Sequence, residues 1–134
     1  MATTTARLVL DSAAGQLLTS VLAIDDTMTL TKLGTGTGLT ATTGLARATF
    51  AAATETKILE ADDYTDNKAA KLYIKNTDSG GSETVRITLG TIGGTTIGWL
   101  DPDDWALIPW SAASDINVIC SSATTIVEWM LFYE

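Results

Sequence analysis

The chain is 134 residues long, 46% apolar and 18% charged, with a formal net charge of −8, a balance that fits one folded domain and excludes an intrinsically disordered chain. The charge is unevenly shared: residues 76–134 hold eight carboxylates and one cation, Arg86, whereas residues 1–75 hold eight carboxylates and seven cations. A surface of that sign repels phosphate backbones and argues against direct nucleic-acid binding by counterion release.

The 24 threonines and 11 glycines lean the composition towards β-structure, because β-branched side chains suit a half-exposed pleated face and glycine suits tight turns. Cys120 is the one cysteine, so no intrachain disulfide forms, and its setting in "INVIC" reads as a small buried apolar residue rather than a nucleophile. The opening "MATTTARLVLDSAAGQLL" lacks the apolar core of a signal peptide, and no apolar run reaches the roughly 18 residues that span a bilayer. The expectation is a chain made in the cytoplasm that binds no membrane.

In chain order, "QLLTSVLAI" and "TMTLT" read as strands joined at "DD", and "LGTGTGLTATTG" (33–44) as an extended Gly/Thr loop or arm. "LARATFAAATE" fits a short helix or a further strand. "DDYTDN" (62–67) places oxygen ligands at alternating positions, but it lacks the sixth-position glycine and twelfth-position glutamate of a calcium loop, which leaves a solvated turn. "AKLYIKN" (70–76) and "ETVRITLG" (83–90) both alternate, with Leu72, Ile74, Val85, Ile87 and Leu89 on one face, and the "TDSGGS" between them predicts a hairpin. "GTIGGTT" supplies another reversal before "IGWL". "SDINVIC" and "TTIVEWMLFY" supply two more strands. In the last of these both faces are apolar apart from Glu128, which predicts a central strand covered either by the N-terminal segment or by a second subunit.

About six short strands with Gly-rich turns predict an all-β fold, an antiparallel β-sandwich or jelly-roll-like domain over residues 55–134. Residues 1–54 are read as a partly extended N-terminal arm with some β-structure.

The chain has no histidine, which excludes Ser-His-Asp and Cys-His catalysis and imidazole-ligated zinc. The adjacent pairs Asp25–Asp26, Asp62–Asp63 and Asp103–Asp104 sit on extended chain, where neighbours point to opposite faces, so none forms an acid/base pair. "GTGTG" (34–38) lacks the third glycine of a dinucleotide fingerprint and is followed by no phosphate-loop lysine. No enzymatic role, cofactor or metal is expected.

The richest stretch is "GWLDPDDWALIPW" (98–110). Asp101, Pro102, Asp103 and Asp104 suit a type I turn, with Pro102 fixing the second φ. Trp99 and Trp105 flank it and are placed to meet across a hairpin. Pro109 cannot donate to a ladder, which confines "ALIPW" to an edge or a strand end, with Trp110 beside it. Trp99, Asp101, Pro102, Trp105, Pro109 and Trp110 are therefore the candidate interface residues. Core packing and an aromatic sugar platform are the alternative uses of the tryptophans.

The runs "KLYIKNTDSGGSETVRITLG", "IGWLDPDDWALIPW", "DINVIC" and "VEWMLFYE" together resemble the small β-sandwich structural proteins of tailed-phage virions. The resemblance covers residues 55–134. It implies a non-enzymatic virion component assembled in the bacterial host cytoplasm, most simply a capsid decoration or cement protein on the capsid surface. Its partners would be the major capsid protein and copies of itself, as dimers or trimers. The neck, tail and fibre base are alternative places within a virion.

Overall fold

The structure, a computed structural model, describes residues 4–12 and 22–134. It is all-β apart from one 3-10 turn at Ala61–Asp63. The strands are β1 (Thr5–Ser12), β2 (Leu22–Thr29), β3 (Ala41–Thr42), β4 (Ala46–Thr49), β5 (Glu55–Leu59), β6 (Ala70–Asn76), β7 (Val85–Leu89), β8 (Thr95–Leu100), β9 (Trp105–Trp110), β10 (Ile116–Cys120) and β11 (Ile126–Tyr133).

Two antiparallel sheets pack face to face. One has the order β5-β10-β7-β8; the other runs β3-β11-β6-β9, with β4 also paired to β11. The core between them is built from the alternate residues that each strand turns inward: Leu72, Ile74, Val127 and Leu131 from one sheet, Val85, Ile87, Ile116 and Val118 from the other, all 2% exposed or less. This is the β-sandwich that the alternation predicts. β11 is central in its sheet, with β6 on one side and β3 and β4 on the other; its inner face packs Val127 and Leu131 into the core, while Met130 and Phe132 on its outer face share a cleft with Thr4, Leu30 and Leu45. The sandwich also takes in residues from before position 54, since β3 and β4 pair with β11. "LARATFAAATE" accordingly supplies a strand and no helix.

Every connection from β5 to β11 except β7–β8 passes from one sheet to the other. The hairpin expected between residues 70–76 and 83–90 is therefore corrected: β6 and β7 lie in opposite sheets. Gly80, at φ 93°, does turn the chain, but buried Asn76 decides where it goes, its Nδ2 donating to the carbonyls of Glu83 at 2.8 Å and Leu100 at 3.2 Å. The β7–β8 hairpin forms as predicted, with Gly90 and Gly93 at φ 102° and 89°, a region open to glycine at no steric cost. The "DD" expected to join two strands lies instead inside β2, which runs unbroken through Asp25 and Asp26. The first part of that expectation, residues 16–21, lies outside the described residues.

β1 and β2 form a separate antiparallel hairpin, paired from Thr5↔Thr29 to Ser12↔Leu22. At its base Leu30 and Leu39 are buried, Leu30 N donating to Thr4 O (2.9 Å) and Leu39 N to Leu30 O (2.8 Å).

Candidate assembly surface

The corner at residues 98–110 is a crossing between sheets, and this corrects its predicted geometry. β8 and β9 are the edge strands of opposite sheets, so Trp99 and Trp105 do not meet. Trp99 stands opposite Arg86 on β7, whose guanidinium carbon lies 5.4 Å from the ring centroid, a cation–π contact. Trp105 is paired with Lys75 on β6. Both rings are exposed, on edge strands of different sheets.

Between them, Asp104 N donates to Asp101 O at 3.0 Å, closing the turn, and Asp103 takes φ 65°. A positive φ at the third residue is the type II pattern, not the expected type I; aspartate tolerates it because its short polar side chain bonds locally. The side-chain acceptor is Asp104, whose Oδ2 takes the Asp101 N–H at 3.1 Å. Pro102 occupies the second position, where its fixed φ fits, and Pro109 lies on edge strand β9 as its missing donor requires. Trp110 is a core residue: 7% exposed, Nε1 donating to Ser114 O at 2.8 Å, with Tyr64 edge-on at 5.3 Å and Tyr64 in turn edge-on to Tyr133 at 5.1 Å.

The charged side chains with several partners serve the fold. The Glu55 carboxylate accepts from Thr88 Oγ1, from Gly93 N at 2.6 Å and from Asn117 Nδ2 at 3.4 Å. These bonds, the Thr88 hydroxyl foremost, hold its pKa below the usual carboxylate value and draw the β7–β8 turn onto β5. Asp115 accepts from Ala61 N at 2.8 Å and pairs with Lys57 at 2.8 Å, which lowers its pKa too. Glu128 takes Arg47 at 2.8 Å and the Tyr73 hydroxyl at 3.1 Å. The Cys120 side chain is buried, and burial pushes its thiol pKa up; thiolate character is what a reactive cysteine needs.

The β1–β2 hairpin, within the segment read as an N-terminal arm, is a further exposed surface that supplied none of the candidate interface residues. Its strict alternation places Ala6, Leu8 and Leu10 opposite Met28, Asp26 and Ile24 on one face, while Arg7 and Asp25 form an ion pair on the other. Leu8, Leu10, Ile24 and Met28 are 41–44% exposed. That face looks onto a cleft of about 530 Å³ closed on the far side by Trp105, Ala106 and Leu107 of β9. A second cleft of about 390 Å³ continues beneath the hairpin base, over Tyr73, Met130 and Phe132 on the outer face of the β11-containing sheet. "ARLVL" carries apolar residues on both faces of the strand, Leu8 and Leu10 on one and Val9 on the other; what the residues do not say is that the strand is left uncovered.

No protein-family model matches the chain, and no curated protein matches it. Among solved structures it is similar to a Bacillus endospore appendage, from a family of disulfide-linked pili, at 16% identity over 69% of this chain and 85% of that one, with a TM-score of 0.45. That neighbour is a bacterial appendage protein and not a virion protein.

Proposed function

We propose that this chain is a non-enzymatic structural subunit that binds its neighbours through the β1–β2 hairpin, and that its place is the outer surface of a tailed-phage capsid, as a decoration or cement protein. The observation that carries the proposal is the hairpin itself. A two-stranded ribbon is at best marginally stable alone in water, yet this one holds four large apolar side chains half-exposed on one face and Val9 exposed on the other, outside the core of the sandwich. Such a face gains stability when a partner covers it.

The absence of histidine, the structural engagement of Glu55, Asp115 and Glu128, and the buried Cys120 support a role without catalysis. Placement on a capsid rests on the resemblance of residues 55–134 to small virion β-sandwiches, and repeated lattice sites would multiply weak individual contacts through effective concentration. The neck, tail and fibre base are the other places within a virion that the same resemblance allows.

The test is occupancy. Heads of the encoding phage, purified without this chain, are incubated with the full chain or with a chain lacking residues 1–30, and bound protein is located by cryo-electron microscopy. Ordered density for the full chain that is lost on truncation is the expected result; no density on the head with the full chain, or equal density with both, overturns the reading.

A further inference from the structure

The cleft between the hairpin and β9 has both of its walls in one chain, joined through residues 30–40. We infer that the β1–β2 hairpin is a lid: it swings on its base and closes on the outer face of the β11-containing sheet, exchanging between the open form described above and a closed form of comparable population. Closure hides the assembly face until a partner displaces it. This last step rests on the reading of the hairpin as the assembly surface; the swing itself does not.

The two walls match. Leu8, Leu10 and Met28 line the first cleft from the hairpin, Trp105 and Leu107 from β9. Ala6, Trp105 and Leu107 also line the second cleft, together with Tyr73, Met130 and Phe132 of the sheet. One hairpin face therefore looks onto one sheet face along both clefts. Leu8, Leu10, Met28 and Trp105 are 41–52% exposed in the open form, and their removal from water favours closure. A ribbon laid on a pleated sheet, side chains interdigitating, is ordinary packing between sheets. Lost rotamer freedom of the same side chains opposes it and keeps the two forms close in free energy.

No strand ladder holds the lid open. The hairpin is a two-stranded sheet of its own, and neither of its strands pairs with a strand of the sandwich among the described residues. A swing about the base thus breaks no bond between the hairpin and another strand. Leu30, 1% exposed, fixes the base, and its N–H bond to Thr4 O keeps the two strands together there.

Charge is matched across the gap as well. Asp26 lines the first cleft from the hairpin; Lys75 lines the second from β6, directly opposite Trp105, which lines both. Asp26 has no ion-pair partner among the described residues, and Lys75 reaches Asp103 only at 3.6 Å. Closure carries Asp26 towards Lys75.

A disulfide trap reads the closure, because the bond forms only when the two Cα atoms come within about 7 Å. The double variant Leu8→Cys with Leu107→Cys is oxidised at about 1 µM, far below the effective concentration of a tethered segment, and should form its intrachain bond about tenfold faster than Val9→Cys with Leu107→Cys, since Val9 stands on the other face of the hairpin. Equal rates, or no intrachain bond from the first pair, overturn the lid. A second measurement needs no cysteine. In a Trp99→Phe background, where Trp105 is the remaining exposed indole, Leu8→Asp should raise acrylamide quenching about 1.5-fold, the change expected when one of two comparably populated forms is removed. Unchanged quenching with an unchanged far-ultraviolet circular dichroism spectrum overturns the lid too. For assembly, the Leu8→Cys, Leu107→Cys chain is added to phage heads purified without this chain, both oxidised and reduced. Occupancy only after reduction is the expected result, and equal occupancy in both states overturns the gating. Heads that also stay bare with the wild-type chain sink the reading of the assembly surface, while the lid stands or falls on the trapping rates.

Discussion

Trp105 and Trp110 sit on one strand, five positions apart, and alternation sends them to opposite faces. Trp110 fills the core and spends its indole N–H on Ser114; Trp105 is about half exposed, beside the hairpin cleft. Trp110→Ala should therefore cost about 3–5 kcal/mol, the usual loss for a large buried aromatic, whereas Trp105→Ala should change monomer stability by no more than about 0.5 kcal/mol. Urea denaturation at low protein concentration measures both, and equal losses would refute the assignment. The sequence shows that Pro109 lies at an edge, because a missing N–H is a property of the residue itself. It does not show which tryptophan is inside, since both faces of "WALIPW" are apolar: Trp105 and Leu107 on one, Ala106, Ile108 and Trp110 on the other.

Among elements, the β7–β8 hairpin gives the sharpest contrast. A Cβ on Gly94 would run into the carbonyl oxygens of Leu89 and Thr91, while one on Gly98 in β8 meets open space. Gly94→Ala is expected to destabilise by about 1–3 kcal/mol through overpacking of the turn, and Gly98→Ala to stay within about 0.5 kcal/mol of wild type, read as the shift in thermal unfolding midpoint. Turn chemistry made this hairpin legible. The same chemistry at Gly80 and Gly81 pointed to a second hairpin that does not exist, because a glycine permits a reversal without saying to which sheet the chain returns. Asn76 says so, by bonding across to Glu83 and Leu100, and nothing in a single side chain announces such distant partners.

For the whole molecule, the lowered carboxylates set the response to acid. Glu55 and Asp115 have folded-state pKa values below their ordinary ones, chiefly through the Thr88 hydroxyl and the Ala61 N–H respectively. A depressed carboxylate adds stability above its unfolded pKa, about 4 for these groups, and that contribution is lost as pH falls through the lower folded value. The urea midpoint should hold steady between about pH 7 and 5 and decline below about 4. Glu55→Gln should flatten that decline; an unchanged slope would mean that the Glu55 network does not couple to folding.

Local chemistry settled what this sequence says by itself: an all-β chain, the six strands of the sandwich from residue 70 onward, the glycine turn after β7, a proline-marked edge and an inert buried cysteine. Each follows from the two-residue period of a strand or from the fixed φ and hydrogen-bonding capacity of one residue. The tertiary structure alone decided which sheet each strand joins, that the corner at 98–110 crosses between sheets, and that the chain's large uncovered apolar face lies on the β1–β2 hairpin. Those are pairings between residues far apart in the chain, and alternation reveals that a strand has an apolar face without revealing what, if anything, packs against it.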